Sequence, residues 1–323
     1  MNNDEYALYK KLLSLTQAEL LQTLPEILSK YYKNLKVTKD YILAKGDIPI
    51  ALCAHMDTVF SSPAKYVLYD REEDVIWAPG GAGHDDRAGI FMILQLIFEG
   101  LRPHVIFTTD EEIGCVGAEK LPRRADFFGD LRYIIQLDRR GVDDCVFYYE
   151  ENREFINYIS SFGFKEQKGS FTDIVVICPK WKVAGVNLSV GYFNEHSASE
   201  LLFVGVYEIT KKKVRQMLLN PPAKAFPHKE TSKKFSLFNQ NIGTCAKCKQ
   251  KVIEEDLFPV KRINGKIKEF CIDCMAENVN WCEICCQPFE TKESERLICY
   301  ECERASAEGN SIQSKLTPRG SKN

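Results

Sequence analysis

Ala51–Val59 reads ALCAHMDTV, the end of an apolar run that begins at Pro49 and stops on a histidine and an aspartate. A short apolar run of this length has the pattern of a buried strand. Side chains alternate across a strand, so His55 and Asp57, two apart, look the same way. An imidazole and a carboxylate thus stand together at the mouth of a buried strand. Two other apolar runs end alike. HVIFTTDEEIG (104–114) stops on Asp110, Glu111 and Glu112, and YIIQLDRRG (133–141) stops on Asp138. In open α/β sheets, ligands bind outside the carboxyl ends of the strands. Buried carboxylates without a cation cost on the order of several kcal/mol each, and a cation at their focus removes that cost.

Around these endings, predicted strands and helices alternate. Strands are expected near 36–44, 49–55, 66–70, 74–78, 103–109, 132–138, 144–149, 172–178 and 184–189. Helices are expected near 86–99, 115–121, 150–162 and 206–219. The N-terminus also reads as helical: TQAELLQTLPEIL opens on Thr16 with Glu19 three residues on, a capping box. This order predicts an α/β three-layer sandwich with a mostly parallel central sheet. The lysine run Lys211–Lys213 reads as a solvated face.

Two further segments complete the polar set. APGGAGHDDRAGIFMIL (78–94) is a glycine-rich turn running into a helix, with Asp85 and Asp86 at the junction. GYFNEHSASE (191–200) follows a predicted strand and places His196 in a loop. Together His55, Asp85, Glu112, Asp138 and His196 offer mixed nitrogen and oxygen ligation. That set suits zinc, with cobalt or manganese as chemical alternatives.

In the order of these motifs, residues 50 to 210 resemble the zinc-dependent exopeptidases that carry two metals, a family that includes peptidase T, the glutamate carboxypeptidases and the single-domain aminopeptidases. The family's His-x-Asp is matched by His55-Met56-Asp57. Its bridging aspartate in Gly-x-Asp-Asp-x-x-Gly is matched by Asp85, its paired glutamates by Glu111 and Glu112, its next aspartate by Asp138 and its last histidine by His196. The resemblance implies that Asp85 bridges two metals, one also held by His55 and Asp138, the other by Glu112 and His196. Asp57 would fix the far ring nitrogen of His55. Glu111 would be the general base that takes a proton from the attacking water and passes it to the leaving amine. The Asp85–Asp86 peptide would be cis. His84 stands where the family often has a small residue. Asp86, Arg139 and Arg140 read as salt-bridging groups before substrate contacts, and His104 and His228 read as surface residues.

Many family members insert a lid and dimerisation domain between the aspartate and the last histidine. Here only 57 residues separate Asp138 from His196, and the remaining strands and a helix use them. The lidless members are mostly aminopeptidases, so the resemblance implies an aminopeptidase-like hydrolase of peptide or amide bonds. An amide deacylase acting on a small metabolite would use the same metals and base. A non-catalytic zinc-ribbon adaptor on a hydrolase-like fold is the alternative outside enzymology, and the intact ligand set with Glu111 counts against it. The acidic group that would hold a substrate's α-amine is not evident.

The chain has 323 residues, 45% of them hydrophobic and 27% charged, with a formal net charge of -2. That balance points to no polyanionic partner or membrane surface. Its first residues lack a signal-peptide pattern, and GIFMILQLIF (89–98) is too short to span a bilayer, so a cytoplasmic protein is expected. Of 13 cysteines, nine lie between Cys245 and Cys302. The other four, Cys53, Cys115, Cys145 and Cys178, read as small core residues. The nine include four CxxC knuckles: Cys245 and Cys248, Cys271 and Cys274, Cys282 and Cys285, Cys299 and Cys302. Each knuckle turns two thiolates onto one metal, so four imply two structural zinc ions. Sequential pairing as two zinc ribbons is preferred over a cross-braced arrangement because only seven residues separate Cys274 from Cys282. Cys286 is then spare, or stands in for Cys285. Such a module stabilises a segment with little core, and its basic stretch KRINGKIKEF (261–270) would permit docking to protein or nucleic acid. The expected division is a dizinc hydrolase domain over 1–220, a linker over 221–242, a cysteine-rich zinc module over 243–303 and a disordered tail over 304–323.

Overall fold

The structure, a computed structural model, describes residues 1–169, 171–230, 242–249, 251–253, 257–262, 266–271, 274, 279–282, 284, 288–291 and 296–307. The chain divides into two compact units, Met1–Ser232 and Lys233–Asn323.

The first unit is built on an eight-stranded sheet. Its strands are β1 (Asn34–Val37), β2 (Tyr41–Lys45), β3 (Ile48–His55), β6 (Pro103–Thr108), β7 (Tyr133–Arg139), β8 (Asp144–Val146), β9 (Lys165–Glu166) and β10 (Gly185–Ser189). Their order is β1-β2-β6-β3-β7-β10-β8-β9. The central four, β6, β3, β7 and β10, run parallel. Alternation along β3 shows why helices cover both faces. Ile50, Leu52 and Ala54 face one apolar cluster with α1 (Asn3–Leu13), α2 (Gln17–Leu28), α3 (His84–Phe98), α5 (Arg153–Ser160) and α7 (Val204–Leu219). Ala51 and Cys53 face a second cluster with α4 (Val116–Lys120) and α6 (Asp173–Trp181). A buried parallel sheet requires both faces covered, and this α/β three-layer sandwich is the architecture expected from the sequence. A small antiparallel sheet, in the order β11 (Tyr192–Phe193), β12 (Leu201–Phe203), β5 (Val75–Trp77), β4 (Leu68–Asp70), lies beside the segments that carry Asp85 and His196. Thr16 caps α2, with Glu19 closing the box as its spacing predicts. The isolated cysteines Cys53, Cys115, Cys145 and Cys178 are all buried.

Three local expectations are corrected. The strand expected over 172–178 is instead helix α6, Asp173–Trp181, with Thr172 at its N-cap. The β-branched run Ile174-Val175-Val176-Ile177 reads as a strand, but Ile174, Ile177, Cys178 and Trp181 are buried at helical spacing. The single strand expected over 36–44 is a hairpin of β1 and β2, because the Thr38 hydroxyl bonds both the N–H and the carbonyl of Tyr41 across the turn. His104 and His228 are not surface residues. The His104 ring is buried against Phe128, its Nδ1 accepts from the Gly46 N–H and its Nε2 donates to the Asp130 carbonyl. His228 Nδ1 lies 2.8 Å from Glu150 Oε2, with both side chains buried.

Residues 221–230, at the head of the expected linker, lie along the first unit. Phe226 exchanges backbone bonds with Arg132 and Ala184, and Glu150 pairs with Glu230 in a bridge. Residues 231–241 of that linker, and 308–323 of the expected tail, lie outside the described residues. Among the described residues, no helix is long and apolar enough to cross a membrane.

The second unit, taken by itself, has a hairpin of β13 (Ile242–Thr244) and β14 (Lys251–Ile253). It also has a four-stranded sheet in the order β16 (Ile267–Cys271), β15 (Leu257–Lys261), β18 (Pro288–Glu290), β17 (Val279–Trp281), and helix α8 (Tyr300–Ala307). Its apolar clusters are small and built partly of cysteine: Cys245, Leu257, Val260, Phe270, Cys271 and Cys274 in one, Cys282, Phe289, Cys299 and Cys302 in the other.

Candidate metal centre

Each of the polar residues at the strand ends is delivered by a recognisable local device. His55 is the last residue of β3, and its neighbour across the sheet is Thr108, the last of β6. Glu111 and Glu112 follow β6 in a tight turn, where Asp57 accepts both of their backbone N–H groups, at 3.0 and 2.9 Å. The same carboxylate lies 3.2 Å from His55 Nδ1 and fixes that ring. Asp85 sits where the glycine-rich turn enters α3. Gly80, Gly81 and Gly83 there have φ of 88, 97 and 71°, a region that favours glycine. The Asp85–Asp86 peptide is cis.

The side chains converge. His55 Nε2 is 3.0 Å from Asp85 Oδ1 and 3.4 Å from Asp138 Oδ1. His196 Nε2 is 3.3 Å from Asp85 Oδ2 and 3.0 Å from Glu112 Oε2. Asp85 therefore joins two groups, one with His55 and Asp138 and one with Glu112 and His196. Within each, the potential ligand atoms lie no more than 4.8 Å apart. Glu111 stands beside them, its Oε2 4.0 Å from His55 Nε2.

The electrostatics of this donor set fit a cation. Among the described residues, no lysine or arginine makes an ion pair with Asp57, Asp85, Glu111, Glu112 or Asp138. Burial pushes the Glu111 carboxyl up to about 9; His55 opposes that rise and Asp138 adds to it. Burial pushes Asp138 up to about 7, with the charge of Asp85 adding to it. The histidines are drawn the other way. Hydrogen bonds to Asp85 and Glu112 lift His196 to about 11. Burial would lower His55, but Asp138, Asp57 and Asp85 outweigh it and hold the imidazole well above its ordinary value. Asp85 runs against Glu111 and Asp138: hydrogen bonds with His196 and His55 outweigh its burial and hold it well below the usual carboxylate range. A set of acids shifted apart in this way, with imidazoles drawn toward the proton, would be relieved by a divalent ion.

A second ring of residues, not singled out from the sequence, holds this arrangement. Glu200 is fully buried and accepts the N–H groups of Ala82, Gly83 and Asp85, at 3.1, 2.6 and 3.1 Å. Asp138 Oδ2 accepts from Thr172 Oγ1 at 2.6 Å and Gln136 Nε2 at 3.0 Å, and its Oδ1 accepts from the Tyr192 hydroxyl at 3.3 Å. Among the described residues Asp86 makes no ion pair; it accepts the backbone N–H groups of His55 and Gly89. Arg139 and Arg140 pair with Asp144 and Glu195. His84 points away from the cluster. Its ring lies between the Tyr9 hydroxyl and the Ile76 carbonyl, and burial holds it down to about 3, hence neutral.

In the second unit, Cys245, Cys248, Cys271 and Cys274 come together with their sulfurs within 4.8 Å of one another, and so do Cys282, Cys299 and Cys302. Cys285 and Cys286 lie outside the described residues. The Cys271 N–H donates to Cys245 Sγ and the Cys299 N–H to Cys282 Sγ, each at 3.3 Å. None of the described cysteines forms a disulfide. Clustered thiols with N–H···S bonds could hold a metal ion.

No protein-family model matches the chain, and no curated protein sequence matches it. Its fold, however, is that of several solved structures. A tripeptidase from Staphylococcus aureus aligns with a TM-score of 0.55 at 12% identity, over 66% of this chain and 96% of that one. A TET aminopeptidase from a marine-sediment Thaumarchaeota archaeon aligns with a TM-score of 0.54 at 14% identity, over 68% and 98%. Aminopeptidase PepT from Bacillus cereus aligns with a TM-score of 0.52 at 15% identity, again over 68% and 98%. The likeness is one of fold.

Proposed function

We propose that the chain is a metal-dependent hydrolase of peptide or amide bonds, aminopeptidase-like, with two zinc ions in its first unit and two structural zinc ions in its second. The observation that carries this reading is the double cluster centred on Asp85, with one glutamate outside both groups, Glu111, beside it. The fold shared with a tripeptidase and two aminopeptidases supports it.

Asp85 would be shared by the two ions; His55 and Asp138 would hold one, and Glu112 and His196 the other. When bound, the two ions supply Lewis acidity that polarises the scissile carbonyl and acidifies a water. Glu111 accepts the proton of the attacking water on Oε2, the oxygen turned toward the cluster, and returns it to the leaving amine. Asp57 orients His55 and, through the N–H groups of Glu111 and Glu112, keeps base and ligand in register. The 57 residues between Asp138 and His196 carry β8, α5, β9, α6, β10 and β11. Those elements use up the segment and leave no room in it for an inserted lid domain.

Glu111→Gln tests the assignment. Turnover of leucine-amide and short peptides, with zinc or cobalt added, should fall at least about a hundredfold, the scale of general-base loss. Metal content and fold should be unchanged. Near-normal turnover in this variant removes Glu111 from the mechanism.

A further inference from the structure

The base needs an orientation as well as a pKa. Among the described residues, one side chain donates a hydrogen bond to the Glu111 carboxylate: the Cys115 thiol, with Sγ 3.7 Å from Oε1. The other oxygen, Oε2, faces His55 Nε2 at 4.0 Å. The thiol and the ring of His55 thus lie at opposite ends of one carboxylate.

Cys115 is fully buried. Burial and the neighbouring acids Asp173 and Glu111 push its thiol far up, so it is held protonated as a donor. On its far side lies Asp173, also fully buried, whose Oδ2 accepts from the Thr108 hydroxyl; its Oδ1 makes no hydrogen bond of ordinary geometry, and the Cys115 thiol also acts on this carboxyl, favouring its ionised form. A thiol placed between a buried carboxyl group and the base differs from one packed in an apolar core. The backbone adds to the contrast. Cys115 adopts a left-handed φ of 54°, a conformation that costs a side-chain-bearing residue about 1–2 kcal/mol and glycine little. The side chain at this position therefore stands against its own backbone preference.

We propose that Cys115 is a positioning residue for Glu111. Its S–H bond to Oε1 sets the rotation of the carboxylate so that Oε2 is presented to the attacking water. The inference rests on the reading of Glu111 as general base.

Cys115→Ala and Cys115→Ser test it, by steady-state kinetics and by crystal structures of both variants and the wild type. The alanine variant should lose about tenfold in kcat with KM within about twofold, since misplacing a reacting group acts on the chemical step. Its Glu111 carboxylate should be rotated away from the wild-type position. Serine keeps a donor and should recover most of the loss. A Cys115→Ala variant with kcat within about twofold of wild type, or with Glu111 unmoved in the crystal, overturns the proposal. So does a folded serine variant as slow as the alanine one. If the wild type hydrolyses no peptide or amide, the general-base reading fails, and the position of Glu111 in the two crystals still decides whether Cys115 sets it.

Discussion

Glu200 offers the sharpest test of how Asp85 is presented. Its carboxylate is fully buried and satisfies three backbone N–H groups of the glycine-rich turn, those of Ala82, Gly83 and Asp85. Glycine makes that turn accessible but does not hold it, since the same freedom enlarges the unfolded ensemble. Glu200→Ala strands three buried donors. Each costs about 1–3 kcal/mol when left without a partner. Water entering the vacated space recovers part of this, so the loss should be about 3–5 kcal/mol. Glu200→Gln keeps one acceptor oxygen but turns an NH2 group toward donors, so it should lose about 1–3 kcal/mol. Both variants should also bind zinc about 10–100-fold more weakly, the usual effect of losing an outer partner of a ligand. Urea unfolding of metal-stripped protein measures the first quantity and competition with a chelating dye the second. Measuring stability without metal matters, because a bound ion adds its own stabilisation by mass action. If Glu200→Ala is within about 0.5 kcal/mol of wild type and binds zinc equally well, the turn is held by its glycines alone and the argument fails.

Other perturbations probe the remaining parts. A fully loaded chain should contain four zinc ions; mild chelation should abolish hydrolysis while about two zinc ions stay, because open mixed nitrogen–oxygen sites exchange faster than closed tetrathiolate sites. Atomic absorption before and after chelation, with activity restored by added zinc or cobalt, checks this. Burial lowers the His104 imidazole below its ordinary value. In acid the unfolded chain therefore binds the proton more readily than the folded one, and stability falls as pH drops through the unfolded value of about 6.5. The Tm difference between wild type and His104→Gln should accordingly shrink from pH 7.5 to pH 5.5; a difference that stays constant would remove His104 as a source of the pH dependence.

The fold was legible where one rule sufficed. β3, β6 and β7 are short apolar runs bounded by polar residues, and buried parallel strands need little else. The capping box at Thr16 and Glu19 is a local signal and forms locally. Helix α6 was misread because β-branched residues favour strands on average, whereas here burial of Ile174, Ile177 and Trp181 on one stripe decides the outcome. His104 was misread because nothing local foretells that Gly46 and Asp130, distant in sequence, supply its two partners. The same limit divides the site. Residues that end strands announce themselves by breaking an apolar run. Those that hold them, such as Glu200 and Tyr192, are ordinary polar residues in ordinary loops and strands, and only the tertiary fold gives them work.

At the start of α6, scaffold and site share their hydrogen bonds. Thr172 occupies the N-cap position of this helix, where a threonine hydroxyl usually accepts a backbone N–H. Here it makes no such bond and donates instead to Asp138. The orphaned N–H of Ile174 is taken by Gln136 Oε1, a side chain from the middle of β7, whose Nε2 donates to the same Asp138 oxygen as Thr172. Gln136 thus caps a helix with one end and orients a candidate ligand with the other. The partial positive charge at the helix N-terminus, directed toward Asp138 and Asp173, favours their ionised forms against the burial that raises both. A helix shifted by one residue would lose its cap, release Asp138 and turn Asp173 away from Cys115 together. Ligand geometry on this rim is therefore set by the same few bonds that fix where α6 begins.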